Sequence, residues 1–134
     1  MTYIPEPIKT FIRQRAKYRC EYCGLPENFS YYGHQIDHII PTKHRGSSEA
    51  INLALACFDC NNAKSSDVAS YDEYTKELTP LYNPRTQQWD AHFRLEHATI
   101  VGKTPIGRVT VFTLNMNRPE QIETREDLIS AGVW

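Results

Sequence analysis

Apolar residues recur at helical spacing near the start of the chain. Ile8, Phe11, Ile12 and Ala16 fall on one face, and Pro5 suits a first turn, so a helix is predicted over 5–18. Lys9, Arg13 and Lys17 stand four apart on another face. With Arg15 and Arg19 they make five basic residues and no acid between Lys9 and Arg19. A solvated amphipathic face and a phosphate-contacting stripe both fit this pattern. Residues 35–40, with Ile36, Ile39 and Ile40 ahead of Pro41, read as a short strand. A polar loop over 42–49 and a second apolar segment over 50–56 follow, then a helix from Asn61 to about residue 68.

Beyond residue 70 the pattern changes. Residues 71–78 read as a short helix with acids early, and 79–85 as an extended link punctuated by Pro80 and Pro84. A strand is predicted at 98–101. Residues 107–114 are ambiguous, because valines and threonines favour strand while Thr104-Pro105 favours a helix start. Residues 119–131 read as a helix with an acidic first half, stopped by Gly132.

The chain's 134 residues fit one domain or a small module with an appendage, and 40% apolar content implies a modest core that a staple would help. Net charge is −1, so any nucleic-acid footprint has to be local. No apolar run approaches the ~20 residues that span a bilayer.

Four cysteines form two pairs, Cys20-x-x-Cys23 and Cys57-x-x-Cys60. The first residues lack the charged and apolar regions of a secretory signal, which speaks against disulfides and for a cytoplasmic protein. A thioredoxin-like motif would need one pair, not two. A tetrahedral zinc site of four thiolates is the expectation, with Gly24 turning the backbone so that amides face the sulfurs. The Cys23–Cys57 gap exceeds the usual spacing of about 15–20 residues, so something is inserted between the knuckles.

That insert carries polar residues suited to phosphodiester hydrolysis. Asp37 is a hard oxygen ligand for Mg²⁺ or Mn²⁺, and Asn61, at the expected helix start, offers an amide oxygen as second ligand. His38 is the natural general base, its second ring nitrogen expected to donate to a backbone carbonyl. Strand alternation points Asp37 and His38 to opposite faces, so a bend is required to bring both to one cleft. Asn52 would tie the hairpin loop and aim His38. Lys64 would neutralise phosphate or cap the helix surface. Arg45 joins Lys9, Arg13 and Lys17 as a candidate nucleic-acid contact, while Tyr31 and Tyr32 offer either base stacking or one packed and one exposed ring.

The order Cys-x-x-Cys, Asp-His, Asn, Cys-x-x-Cys-Asn-x-x-Lys over 19–66 resembles the HNH nuclease family, in its version framed by four cysteines. Asn61 stands where the name-giving third His would be. The stretch 43–48 departs from the usual Arg/Ser-Gly-Gly loop, leaving His44 unexplained. Segments 81–93 and 102–108 are similar to the tail of small stand-alone prokaryotic HNH proteins. Arg85 and His92 there are either accessory phosphate contacts or packing partners of Trp89 and Phe93.

The resemblance implies an α+β protein: a ββα-metal core framed by the zinc site, an N-terminal helix and a C-terminal α/β appendage. Residues 1–70 form the nuclease domain and 71–134 an extension packed on it. Its implied activity is an endonuclease hydrolysing DNA, double-stranded most readily and RNA left open, to 5′-phosphate and 3′-hydroxyl ends, as monomer or homodimer. A zinc-stapled nucleic-acid-binding module without turnover is the rival, and a structural zinc protein the third reading.

Overall fold

The computed structural model describes residues 3–134. Helix α1 spans Glu6–Arg15 and buries Ile12. It ends before residue 18 because Lys17 and Tyr18 take left-handed φ of 56° and 58°. Lys17 therefore leaves the helical stripe that its spacing suggested. Strand β1 (Gln35–His38) pairs antiparallel with β2 (Leu53–Ala56), placing Asp37 opposite Ala54 and His38 opposite Leu53. All four residues of β2 are buried, and α1 packs against it.

Helix α2 spans Phe58–Lys64, not 61–68 as expected. The Cys57 sulfur caps its N-terminus by accepting from the Cys60 amide, so the second knuckle is itself the first turn of the helix. Asn61 consequently sits mid-helix. The unit is thus strand, loop, strand, helix, with α2 packed on β1.

The expected helix at 71–78 is instead a hairpin of β3 (Ala69–Tyr71) and β4 (Leu78–Pro80). Asp72 accepts from the Thr75 amide at 2.9 Å and Lys76 takes a left-handed φ of 62°, which favours a turn over a helix. Arg108 then pins the Asp72 carboxylate with two bonds of 2.9 and 3.0 Å. A short helix α3 (Trp89–His92) leads into the hairpin of β5 (Phe93–Glu96) and β6 (Thr99–Gly102), turned at His97. The predicted strand is β6; its partner β5 carried no clear signal.

Residues 107–114 resolve as helix α4 (Pro105–Thr113), because Thr104 Oγ1 accepts from the Gly107 amide at 3.1 Å and Pro105 fills the first turn. Helix α5 spans Pro119–Ser130, and Gly132 follows with φ 75°.

One buried cluster joins the four cysteines and Tyr22 to Leu81, Tyr82, Phe93, Ile100, Val109, Leu114 and Met116. The segment after residue 70 therefore shares its core with the knuckles. A smaller cluster of Ile4, Ile12, Leu53 and Leu55 lies under α1. The architecture is α+β, with three two-stranded sheets among the described residues rather than one larger sheet.

Candidate active site and metal centre

The four sulfurs of Cys20, Cys23, Cys57 and Cys60 all lie within 4.8 Å of one another and are buried. Sulfurs bound to one tetrahedral zinc at about 2.3 Å stand about 3.8 Å apart. Cys23 and Cys57 Sγ are 3.8 Å apart, so the donor set fits zinc. In each knuckle the amide of the second cysteine points at the first sulfur, at 3.4 Å. Gly24 has φ +89°, and a Cβ there would meet the Trp134 ring at 3.0 Å, so both its turn and its neighbour call for glycine. Burial opposes ionisation of the Cys20 thiol, but hydrogen bonds from the other three cysteines outweigh it and hold the group well below an ordinary thiol.

Asp37 is 5% exposed. Its Oδ2 accepts from the Tyr22 hydroxyl at 2.7 Å and lies 3.1 Å from the Lys64 ammonium. Burial pushes the Asp37 carboxyl above the usual carboxylate range, against the pull of Lys64, Tyr22 and His38.

Lys64 differs from its expected role. At 1% exposure it neither caps a helix surface nor reaches for phosphate in solution. It donates to the carbonyls of His38 and Ile39, at 3.0 and 3.1 Å, and so ties the end of α2 to the end of β1. The helix ends here because Ser65 turns to φ 47°.

His38 Nε2 lies 3.0 Å from Ser48 Oγ. The expected backbone carbonyl is replaced by a side-chain hydroxyl. Asn52 makes three bonds across the loop: Oδ1 accepts from the Ile40 amide at 2.9 Å, while Nδ2 donates to the carbonyls of Ile40 at 2.9 Å and Ser47 at 2.7 Å. Ser48 follows Ser47 directly, so Asn52 holds the segment that holds His38. Gly46 makes the loop possible, since a Cβ there would come within 1.6 Å of the Ile40 carbonyl oxygen.

Asn61 Nδ2 donates to Gln35 Oε1. Asp37, His38 and Asn61 thus take different partners, and among the described residues no hydrogen bond joins any two of them. The amide oxygen of Asn61 and the carboxylate of Asp37 are hard oxygen donors. Lys64 already balances the charge of Asp37.

The basic stripe dissolves in the fold. Arg13 donates to the His34 carbonyl at 2.9 Å and pairs with Glu27 at 3.3 Å. Arg15 is bonded to the carbonyls of Ala50 and Leu53, and Arg19 to those of Gly24 and Val133. Lys9 pairs with Glu6 at the surface. Arg45 is exposed, in a left-handed turn of φ 73°.

Tyr31 and Tyr32 are both exposed, at 92% and 54%. His92 Nδ1 contacts Thr104 Oγ1 at 2.7 Å, and Arg85 pairs with Glu21 and reaches the Leu53 carbonyl. Both are engaged within the protein, beside the stacked Trp89 and Phe93.

Sequence reasoning missed Tyr22, Gln35 and Ser48. Tyr22 carried a faint signal, an aromatic between the two knuckle cysteines with its hydroxyl needing a buried acceptor. Gln35 and Ser48 carried none, because only the register of β1 and the path of the loop bring them to Asn61 and His38.

A knuckle-framed ββα unit of this kind defines a class, and the comparison with known families agrees with it. Residues 20–67, from the first metal-site cysteine to three residues beyond Lys64, match the family model described as HNH endonuclease. No curated protein and no solved structure matches the chain. No helix among the described residues is long and apolar enough to cross a membrane.

Proposed function

We propose that the protein is a metal-dependent endonuclease that hydrolyses phosphodiester bonds, DNA being the substrate its motif favours. The observation that carries this reading is the support given to His38. One ring nitrogen is held by Ser48, on a loop that Asn52 pins three times, and no hydrogen bond occupies the other among the described residues. An imidazole needing only a packing role has no use for such support.

In this reading the Ser48 hydroxyl accepts from Nε2–H and keeps Nδ1 unprotonated. Nδ1 takes a proton from the attacking water. Asp37 and Asn61 would hold a divalent ion, which supplies charge stabilisation at the phosphate and the leaving 3′-oxygen. Lys64 keeps Asp37 and the backbone of His38 and Ile39 in place rather than touching substrate. The ends left are a 5′-phosphate and a 3′-hydroxyl.

The test is nicking of supercoiled plasmid with Mg²⁺ or Mn²⁺. His38→Ala is expected to lose about 100-fold or more, the scale of general-base catalysis, with an unchanged melting temperature. Absent nicking, or equal nicking by both proteins, favours the non-catalytic zinc-stapled binding module. That second reading has an observation of its own: Asp37 is already satisfied by Tyr22 and Lys64.

A further inference from the structure

Arg125 is the largest of the fully buried side chains, at 2% exposure. It rises from α5 into the protein, yet no carboxylate lies within ion-pair distance among the described residues. Its donations go to neutral acceptors, the carbonyls of Ala98 at 2.6 Å and Met116 at 2.8 Å, with Asn117 Oδ1 farther off at 3.4 Å. Nε has no partner. A guanidinium cannot escape such a site by losing its proton, so it calls for a compensating negative charge.

Two carboxylates, Asp59 and Glu120, line the cavity that Arg125 also lines, but Asp59 is half-exposed, Glu120 is exposed, and neither pairs with Arg125 among the described residues. That leaves the metal centre as the buried negative charge nearby. Arg125 lines the same cavity, of about 240 Å³, as Cys23 and Cys57. The Trp134 ring joins the two: Arg125 lies over it at 5.6 Å, and the ring sits against Gly24, the residue after Cys23. Four thiolates around a divalent cation keep a net double negative charge, buried here away from water. Cys23, Cys57 and Cys60 act on Arg125 electrostatically, opposing the burial that disfavours its charge.

We infer that Arg125 is the built-in counterion of the four-cysteine metal centre, so that the C-terminal helix tunes the metal affinity of knuckles more than sixty positions upstream. The attraction between the buried cation and the buried dianion offsets part of the desolvation penalty of each. This gives the segment after residue 70 a task that the nuclease motif alone does not need. It also holds whether or not the protein cleaves nucleic acid.

The experiment uses the full chain loaded with Zn²⁺ or Co²⁺, in wild type, Arg125→Met and Arg125→Lys. Methionine keeps bulk and loses charge; lysine keeps charge and loses the forked donations. Zinc competition with a chromophoric chelator should show Arg125→Met weakened about tenfold or more, the scale of other groups that support metal ligands, and Arg125→Lys weakened far less. In the cobalt form the sulfur-to-metal charge-transfer band should move to lower energy in Arg125→Met only, because removing the cation raises the sulfur electrons.

Wild-type zinc affinity and an unmoved band in Arg125→Met would overturn the inference. So would equal weakening in both variants with both bands unmoved, since that marks a purely structural role. If Arg125→Met fails to fold, Arg125→Gln takes its place, keeping an amide donor for the Ala98 or Met116 carbonyl without the charge: a band shifted to lower energy supports the counterion, and one at the wild-type position overturns it. Plasmid nicking is not among the readouts, so failure of the endonuclease reading leaves this test intact.

Discussion

The Lys64 ammonium sits 3.1 Å from Asp37 Oδ2 while also donating to the carbonyls of His38 and Ile39. A buried ion pair with two further carbonyl bonds is a brace between α2 and β1. Its removal leaves two carbonyls without their donor and a buried carboxylate with only the Tyr22 hydroxyl and no counter-charge.

Lys64→Met should therefore destabilise the zinc-loaded protein by about 3–5 kcal/mol, the cost of breaking a buried pair from one side. Adding Asp37→Asn should recover part of that loss, because no charge is then left unpaired. Urea unfolding of the two single variants and the double variant measures the coupling. A Lys64→Met protein as stable as wild type would show that the brace carries no load.

Asn52→Ala removes three bonds at once. A loss of about 1–3 kcal/mol is expected, set chiefly by the unpaired groups left behind, with faster hydrogen exchange at the Ile40 amide. If His38 is the base, the nicking rate should fall with little change in substrate affinity, since Asn52 positions His38 without touching DNA. Single-turnover kinetics over a range of protein concentration separates the two effects.

Removing the structural metal should unfold the centre of the molecule rather than one edge of it. The four cysteines belong to the same buried cluster as Phe93, Ile100 and Leu114, so their repulsion without a cation reaches both halves of the chain. Elemental analysis should find one zinc per chain. Strong chelators, or Cys57→Ser, should lower the melting temperature and expose Trp89, whose indole now donates to the Tyr22 carbonyl at 2.8 Å. Trp89 fluorescence unchanged after complete metal removal would argue that the fold stands without it.

Asp72 predicts an acid sensitivity. Its hydrogen bonds with Arg108 hold the carboxyl well below the usual carboxylate range. A carboxyl depressed in the folded state adds stability that is complete above its unfolded value of about 3.9 and is lost as pH falls through the lower folded value. Asp72→Asn should thus be less stable than wild type at pH 7, the gap closing below about pH 4. Urea midpoints at the two pH values check this. A gap that stays constant on acidification would remove Asp72 from the account.

Much of the candidate site was legible in the chain, because metal and hydrolytic chemistry demand particular atoms at particular spacings. Two Cys-x-x-Cys pairs need no fold to suggest a common metal. Asn52, a lone amide inside the apolar segment 50–56, suggested a loop tie, and its side chain makes three bonds across the loop. Local signals erred where distant partners outweighed them. Residues 71–78 favoured a helix by their acids, but Asp72 found Arg108 and made a turn. Lys9, Arg13 and Lys17 looked like a basic stripe, yet Lys9 pairs with Glu6, the His34 carbonyl claims Arg13, and Lys17 leaves the helix in a left-handed turn.

By itself, then, the sequence determined the four-thiolate centre, the β1–β2–α2 order and the identity of the polar groups between the knuckles, since each depends on spacing within a few residues. Tertiary structure alone decided that Lys64 turns inward to Asp37, that Ser48 rather than a carbonyl holds His38, and that Arg125 lies buried on the cavity that Cys23 and Cys57 also line. Those outcomes rest on charges and donors brought together from separate parts of the chain. Burial, which no local pattern records, then makes each pairing obligatory.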